Sequence, residues 1–160
     1  MTGTSRIATH LWFDNNARQA VELYVSLIPN SRISSSTSFG EGGPEKDGSY
    51  TSISFELDGQ RYMALNGGPH LKLNPAVSIF VSCETQQEID RLWDALLAGG
   101  GAPQQCGWLT DKYGLSWQIV PLMFEDMWKI KDPARMKRVM DEVMKMVKLD
   151  IAMLKQAYEG

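Results

Sequence analysis

Residues 50–65 read Tyr50-Thr-Ser-Ile-Ser-Phe-Glu-Leu-Asp-Gly-Gln-Arg-Tyr-Met-Ala-Leu65, two apolar runs joined by Asp58-Gly59. Asp-Gly between such runs predicts a two-residue hairpin, because a type I′ turn needs positive φ at both central residues. Upstream, residues 7–13 form a short apolar, β-branched run that predicts a strand. Asp14 or Asn15 then offers a helix N-cap, and Ala17, Ala20, Val21, Tyr24, Val25 and Ile28 recur at helical spacing until Pro29-Asn30. Residues 32–39, rich in Ser and Thr, predict a further strand, and the Gly, Pro and charges of residues 40–48 predict a loop. The first arc is therefore β-α-β-β-β.

The same order returns downstream. Residues 76–83 predict a strand, and Thr85 with Glu88 forms a Thr-x-x-Glu capping box. Ile89, Leu92, Trp93, Leu96 and Leu97 make the apolar stripe of a helix, which Gly99-Gly100-Gly101 ends. Residues 103–109 and 115–121, separated by Asp111-Lys112-Tyr113-Gly114, supply further strands. Neither arc alternates cleanly, so each sheet is expected to carry a helix on one face and to enclose something on the other. A topology occurring twice is an internal repeat.

From Met123 the texture changes. Asp132-Pro133 is a helix-start signal, followed by Met136, Val139, Met140, Val143, Met144 and Val147 at helical spacing, then by an amphipathic stretch over residues 149–158. From Glu125 onward there are eight Lys+Arg and seven Asp+Glu, so this tail is no basic arm. Its methionine stripe predicts packing, within the chain or across a dimer. The boundaries expected are thus a domain over residues 1–122, with modules of about 1–70 and 71–122, and a helical extension over 123–160.

Composition narrows the function classes. The chain has 160 residues, 43% hydrophobic and 22% charged, with a net charge of -3. That is ordinary globular usage, with no basic excess for nucleic acid or an anionic membrane. No apolar run approaches the ~18 residues of a membrane span, and no signal-peptide pattern opens the sequence, so a soluble cytoplasmic protein is expected. Cys83 and Cys106 make no disulfide framework. Nucleotide-binding, zinc-protease and serine-hydrolase motifs are all missing.

Few residues are left to carry chemistry. His10 shares a strand face with Trp12 by two-residue alternation, and is either a hydrogen-bonded strand histidine or a metal ligand or general base. His70 falls in the loop Asn66-Gly-Gly-Pro-His70, and its plain reading is a solvated residue. Cys106 stands beside Trp108 on a predicted strand, with nothing nearby to lower its pKa. Trp108 and Trp117 are either core or the apolar wall of a pocket.

Several motifs, in order along nearly the whole chain, resemble the PhnB-like branch of the vicinal oxygen chelate superfamily, which includes glyoxalase I, bleomycin-resistance proteins and extradiol dioxygenases. They are His10-Leu-Trp-Phe-Asp14, Tyr24-Val-Ser-Leu-Ile-Pro-Asn30, Met63-Ala-Leu-Asn-Gly-Gly-Pro-His70, Cys106-Gly-Trp-Leu109 and Gly114-Leu-Ser-Trp-Gln-Ile-Val-Pro121. The resemblance implies an α+β fold of two βαβββ modules, each a curved sheet around a cleft, and a homodimer. It implies a small-molecule ligand held by His10, Trp12, Asn66, Cys106, Trp108, Trp117 and Gln118.

The superfamily's metal ligands carry over poorly. His10 matches the first position, but Ala64 or Asn66, Val77 or Ser78, and Gln118 stand at the others. One imidazole with neutral amides is a poor cage for a divalent ion. Binding without an intact metal site is the leading expectation, and a metal-assisted lyase or isomerase using His10 with His70 or Gln118 is the alternative. Metal-free catalysis with Cys106 as nucleophile and His10 as base is a third. Some relatives of this branch bear a demethylubiquinone methyltransferase label, yet no glycine-rich nucleotide turn followed by an acidic residue supports one here.

Overall fold

The computed structural model describes residues 6–160. The chain divides into two units, Met1–Leu73 and Asn74–Gly160.

In the first unit the order is β1 (Thr9–Phe13), α1 (Ala17–Leu27), β2 (Arg32–Phe39), β3 (Tyr50–Leu57) and β4 (Gln60–Asn66). The sheet runs β1-β4-β3-β2, with β1 parallel to β4 and the other pairs antiparallel. Asp58 and Gly59 take φ of 46° and 77°, the left-handed conformation that the hairpin requires. On the α1 face Leu11, Phe13, Ile53, Phe55, Tyr62 and Ala64 bury against Ala17, Ala20, Val21 and Tyr24. The expected cap at Asp14 or Asn15 is corrected. Asn16 is the N-cap and its side chain makes no capping bond. Instead Asn66 Oδ1, at the end of β4, accepts from Ala17 N at 2.8 Å. The helix start is thus fixed by a residue 49 positions away, which local spacing does not reveal.

The second unit repeats the order with β5 (Ser78–Cys83), α2 (Gln86–Leu97), β6 (Ala102–Pro103), β7 (Trp108–Thr110) and β8 (Ser116–Pro121), in a sheet β5-β8-β7-β6. Thr85 Oγ1 caps α2 by accepting from Glu88 N at 3.2 Å. Glu88 Oε2 accepts from Glu84 N, one residue earlier than an ideal capping box. Ile89, Leu92, Trp93 and Leu96 bury against Leu109, Trp117 and Ile119. The strand expected over residues 103–109 is interrupted: residues 104–107 form a turn, with Cys106 at φ 61° and Gly107 at φ 80°.

Three further helices follow, α3 (Met123–Ile130), α4 (Pro133–Val143) and α5 (Ile151–Glu159). Asp132 Oδ1 caps α4, accepting from Ala134 N and Arg135 N, as the Asp-Pro signal predicts. The expected methionine stripe divides. Val139, Val143, Met146, Leu149 and Leu154 form one core with Val120, Phe124 and Met127, whereas Met140, Met144 and Met153 are exposed. The segment after α4 is stitched to the sheet: Met146 O accepts from Cys106 N and Val147 O from Gly107 N, both at 2.8 Å. Gln86 adds two bonds, donating to Leu149 O and accepting from Ile151 N. The helices therefore share their core with the second sheet. Among the described residues no helix is long and apolar enough to cross a membrane.

Candidate functional site

Strand register decides which candidates share a face. In the first unit His10 pairs with Met63 and Trp12 with Leu65, and these face Ser54 and Ser52 of β3. His10, Trp12, Met63, Leu65, Ser52 and Ser54 therefore lie on the side turned away from α1. The positions matched to the fourth-strand ligand, Ala64 and Asn66, belong to the α1 side. Asn66 is buried and committed at both ends, since its Nδ2 also donates to Glu45 Oε1 at 2.7 Å. It ties the loop of residues 40–48 to the start of α1.

Trp12 is held by its backbone surroundings. Its Nε1 donates to Gly68 O at 2.9 Å, and a Cβ on Gly67 would fall 2.3 Å from its Cζ2. The indole thus rests flat against Gly67, a contact only glycine permits. His10 is exposed on the same face. The carboxylate among the strand residues of that face, Glu56, pairs with Arg32 at 3.0 Å. His70 is exposed in a turn after β4.

In the second unit Trp108 and Gln118 are register partners on the side turned away from α2, and both are half-buried. Gln118 Nε2 donates to Ser78 Oγ at 2.9 Å. Trp117 points the other way, fully buried, and donates to Asp111 Oδ2 at 2.9 Å. Its register partner is Leu109, so Trp108 and Trp117 do not form a paired wall. Cys106 leaves the sheet altogether. It sits against the core of the tail helices, with its Sγ 3.6 Å from Met144 Sδ. A thioether and aliphatic groups supply no base for a nucleophilic thiol. The other thiol, Cys83, is buried behind α2, and burial followed by the Glu88 charge pushes it up to about 12.

Register thus brings together His10 with Trp12, and Trp108 with Gln118, while Asn66, Trp117 and Cys106 take structural roles. Sequence reading missed Asp111, which accepts from Tyr113 N, Leu115 N and Trp117 Nε1. An Asp opening a Gly-containing turn six residues before Trp117 was its only signal. Among the described residues no three His, Cys, Asp or Glu side chains cluster as a metal cage. Around His10 the face offers a thioether, hydroxyls and an indole, a poor donor set for a divalent ion. A surface groove of about 480 Å³ along α4 and α5, lined by Arg138, Asp141, Glu142, Lys145 and Met153 among others, holds none of these candidates.

Comparison with known proteins follows the same architecture. The family described as 3-demethylubiquinone-9 3-methyltransferase matches residues 5–120. A putative 3-demethylubiquinone-9 3-methyltransferase, the PhnB protein from Bacillus cereus, is 35% identical, with a TM-score of 0.65 over 73% of this chain and 99% of that one. Protein PA1353 from Pseudomonas aeruginosa is 20% identical, with a TM-score of 0.56 over 74% and 98% of the two chains. The fosfomycin resistance protein FosX from Listeria monocytogenes, in its complex with Mn(II) and sulfate, is 16% identical, with a TM-score of 0.53 over 79% and 98%. The last two show likeness of fold. No curated protein matches the chain. The family match and the Bacillus relative together establish that the chain belongs to the family described as 3-demethylubiquinone-9 3-methyltransferase, as a PhnB-like member.

Proposed function

We propose that the protein binds a small organic molecule on the open face of its first sheet, as a homodimer and without a classical metal site. The observation that carries this reading is the register around His10. It sets one imidazole and one indole beside Met63, Leu65, Ser52 and Ser54. Such a surface offers apolar contact with a few orienting polar groups, the usual composition of a ligand wall. His10 orients the ligand by hydrogen bonding, and Trp12, already held by Gly68, supplies a rigid contact plane. Exposed Met140, Met144 and Met153 on the tail helices support self-association. Two unpaired cysteines suit a reducing cytoplasm.

The methyl transfer in the family's description is not carried over. Doubly wound folds hold adenosine-type cofactors at a glycine turn between a strand and the helix after it. Here the glycines of residues 40–43 join β2 to β3, and Gly99–Gly101 follow α2. Neither run opens a helix. The residues do not fit that cofactor.

A metal-assisted lyase or isomerase is the second reading, favoured by the exposed His10 imidazole and by the Mn(II) complex of a protein sharing the fold. Equilibrium dialysis of the tag-free protein against a metabolite extract separates the two. A compound retained by wild type and lost from both His10→Ala and Trp12→Ala supports binding on this face. Stoichiometric metal in wild type that disappears in His10→Ala, with no compound retained, would transfer the case to the second reading. Sedimentation analysis giving a monomer would remove the homodimer.

A further inference from the structure

The turn of residues 104–107 carries a thiol out of the second sheet and onto the tail. Cys106 takes φ 61°, and at Gly107 a Cβ would fall 2.8 Å from Ile119 O and 3.0 Å from Leu149 Cδ1. Cys106 N donates to Met146 O and Gly107 N to Val147 O, both at 2.8 Å, so main-chain bonds hold the turn against the segment that follows α4. There the Cys106 thiol donates to Met144 Sδ at 3.6 Å. Met144 is 66% exposed and Cys106 is half-buried, which leaves the sulfur pair open to solvent on one side. Met140, also exposed, lies one helical turn earlier, and Met144 N donates to Met140 O, so both thioethers share one helix face.

Thiolate and thioether sulfurs form a soft donor set, suited to Cu(I) rather than to oxygen-seeking Mn(II) or Mg(II). The neighbouring carboxylates are engaged elsewhere, Asp141 by Lys137 at 2.7 Å and Glu142 by Lys145 at 2.6 Å. One thiolate cancels one positive charge. Val143, Met146 and Leu149, in the core against which Cys106 packs, supply no second negative charge. A divalent ion would therefore bring an uncompensated charge to an apolar wall. Two metal–sulfur bonds of about 2.3 Å spanning the 3.6 Å separation meet at about 100°, leaving a third position for Met140.

We propose that Cys106 and Met144, with Met140 as third donor, bind a soft monovalent cation of the Cu(I) class. The cation replaces the thiol proton, which passes to solvent, and the thiolate–metal pair is neutral. Met140 and Met144 lie beyond residue 120, where the family match ends, so the site belongs to the tail and not to the shared fold. It goes beyond the small-molecule reading and does not rest on it.

The test titrates the tag-free full chain anaerobically with Cu(I) in competition with bicinchoninate, and in chloride-free buffer with Ag(I) as a redox-inert stand-in. Wild type is expected to withdraw one Cu(I) per chain, and one equivalent of Ag(I) should suppress iodoacetamide alkylation of Cys106. Met144→Leu, which keeps apolar volume at an exposed position, should weaken Cu(I) binding about tenfold or more, and Cys106→Ser should abolish it. Met153→Leu, on α5, should leave both readouts unchanged, and Zn(II) and Mn(II) should not protect Cys106. Failure to withdraw Cu(I) from bicinchoninate overturns the proposal, as does protection by Zn(II) equal to that by Ag(I). Undiminished binding in Cys106→Ser overturns it by putting the metal elsewhere. Loss confined to Cys106→Ser, with Met144→Leu and Met140→Leu unaffected, overturns it too, since the thiol would then act alone.

Discussion

The indole nitrogen of Trp117 donates to Asp111 Oδ2 at 2.9 Å, and Asp111 Oδ1 accepts at the same time from Tyr113 N and Leu115 N. One buried carboxylate thereby closes the turn between β7 and β8 and anchors the central indole of the second core.

Asp111→Ala should therefore be among the most destabilising single changes in this unit. It strands an indole N–H and two amides, each costing about 1–3 kcal/mol when buried and unpaired. Urea unfolding should show a loss of about 3 kcal/mol or more, whereas Trp108→Leu on the opposite face should cost less than Asp111→Ala. Equal losses would show that Trp117 is not the anchor.

Asn66 makes a second long-range tie. Asn66→Ala removes the α1 cap, worth about 1 kcal/mol, and also the tether to Glu45. Asn66→Asp keeps an acceptor for Ala17 N but sets a carboxylate against Glu45. Limited proteolysis should thus cut residues 40–48 faster in both variants, with the larger stability loss confined to Asn66→Ala. Unchanged cleavage in Asn66→Asp would show that Glu45 is not what holds the loop.

Gly67→Ala tests the seat of Trp12. The new Cβ would fall 2.3 Å from Trp12 Cζ2, with the indole backed by its bond to Gly68 O. Overpacking of this kind costs about 1–3 kcal/mol, and the displaced ring should alter the near-ultraviolet circular dichroism. A variant with wild-type spectrum and stability would mean that the contact relaxes freely.

The two thiols should differ sharply in reactivity. Burial, then the nearby Glu88 charge, pushes Cys83 up to about 12 from an ordinary 9.0. Iodoacetamide at pH 8 should then give a single adduct, on Cys106, in the native protein and two adducts in urea. The linkage runs one way. Between about pH 9 and 12 the folded state keeps a proton that the unfolded state releases, so this contribution is full below pH 9 and is lost as pH rises toward 12. Stability that rose with pH across that window would contradict the shift.

Much of the fold was legible because its signals are local. Asp58-Gly59, Thr85 with Glu88, and Asp132-Pro133 each dictate a turn or a cap from neighbouring residues, and each forms in the structure. The α1 cap was not legible, because Asn66 comes from another strand. The site was legible only by halves. Alternation placed His10 with Trp12, but the sides taken by Asn66 and Trp117 depend on register across three strands, which no short window contains. Cys106 was misplaced because its left-handed φ breaks the strand that its neighbours suggest.

The central claim is that an organic ligand is held on the His10–Trp12 face with no metal involved. Its most direct test is equilibrium dialysis of tag-free protein against one metabolite extract, run in parallel in excess EDTA and in excess Mn(II). The account predicts the same retained compound at the same occupancy in both, and none with His10→Ala. Retention only in the presence of Mn(II) would contradict it.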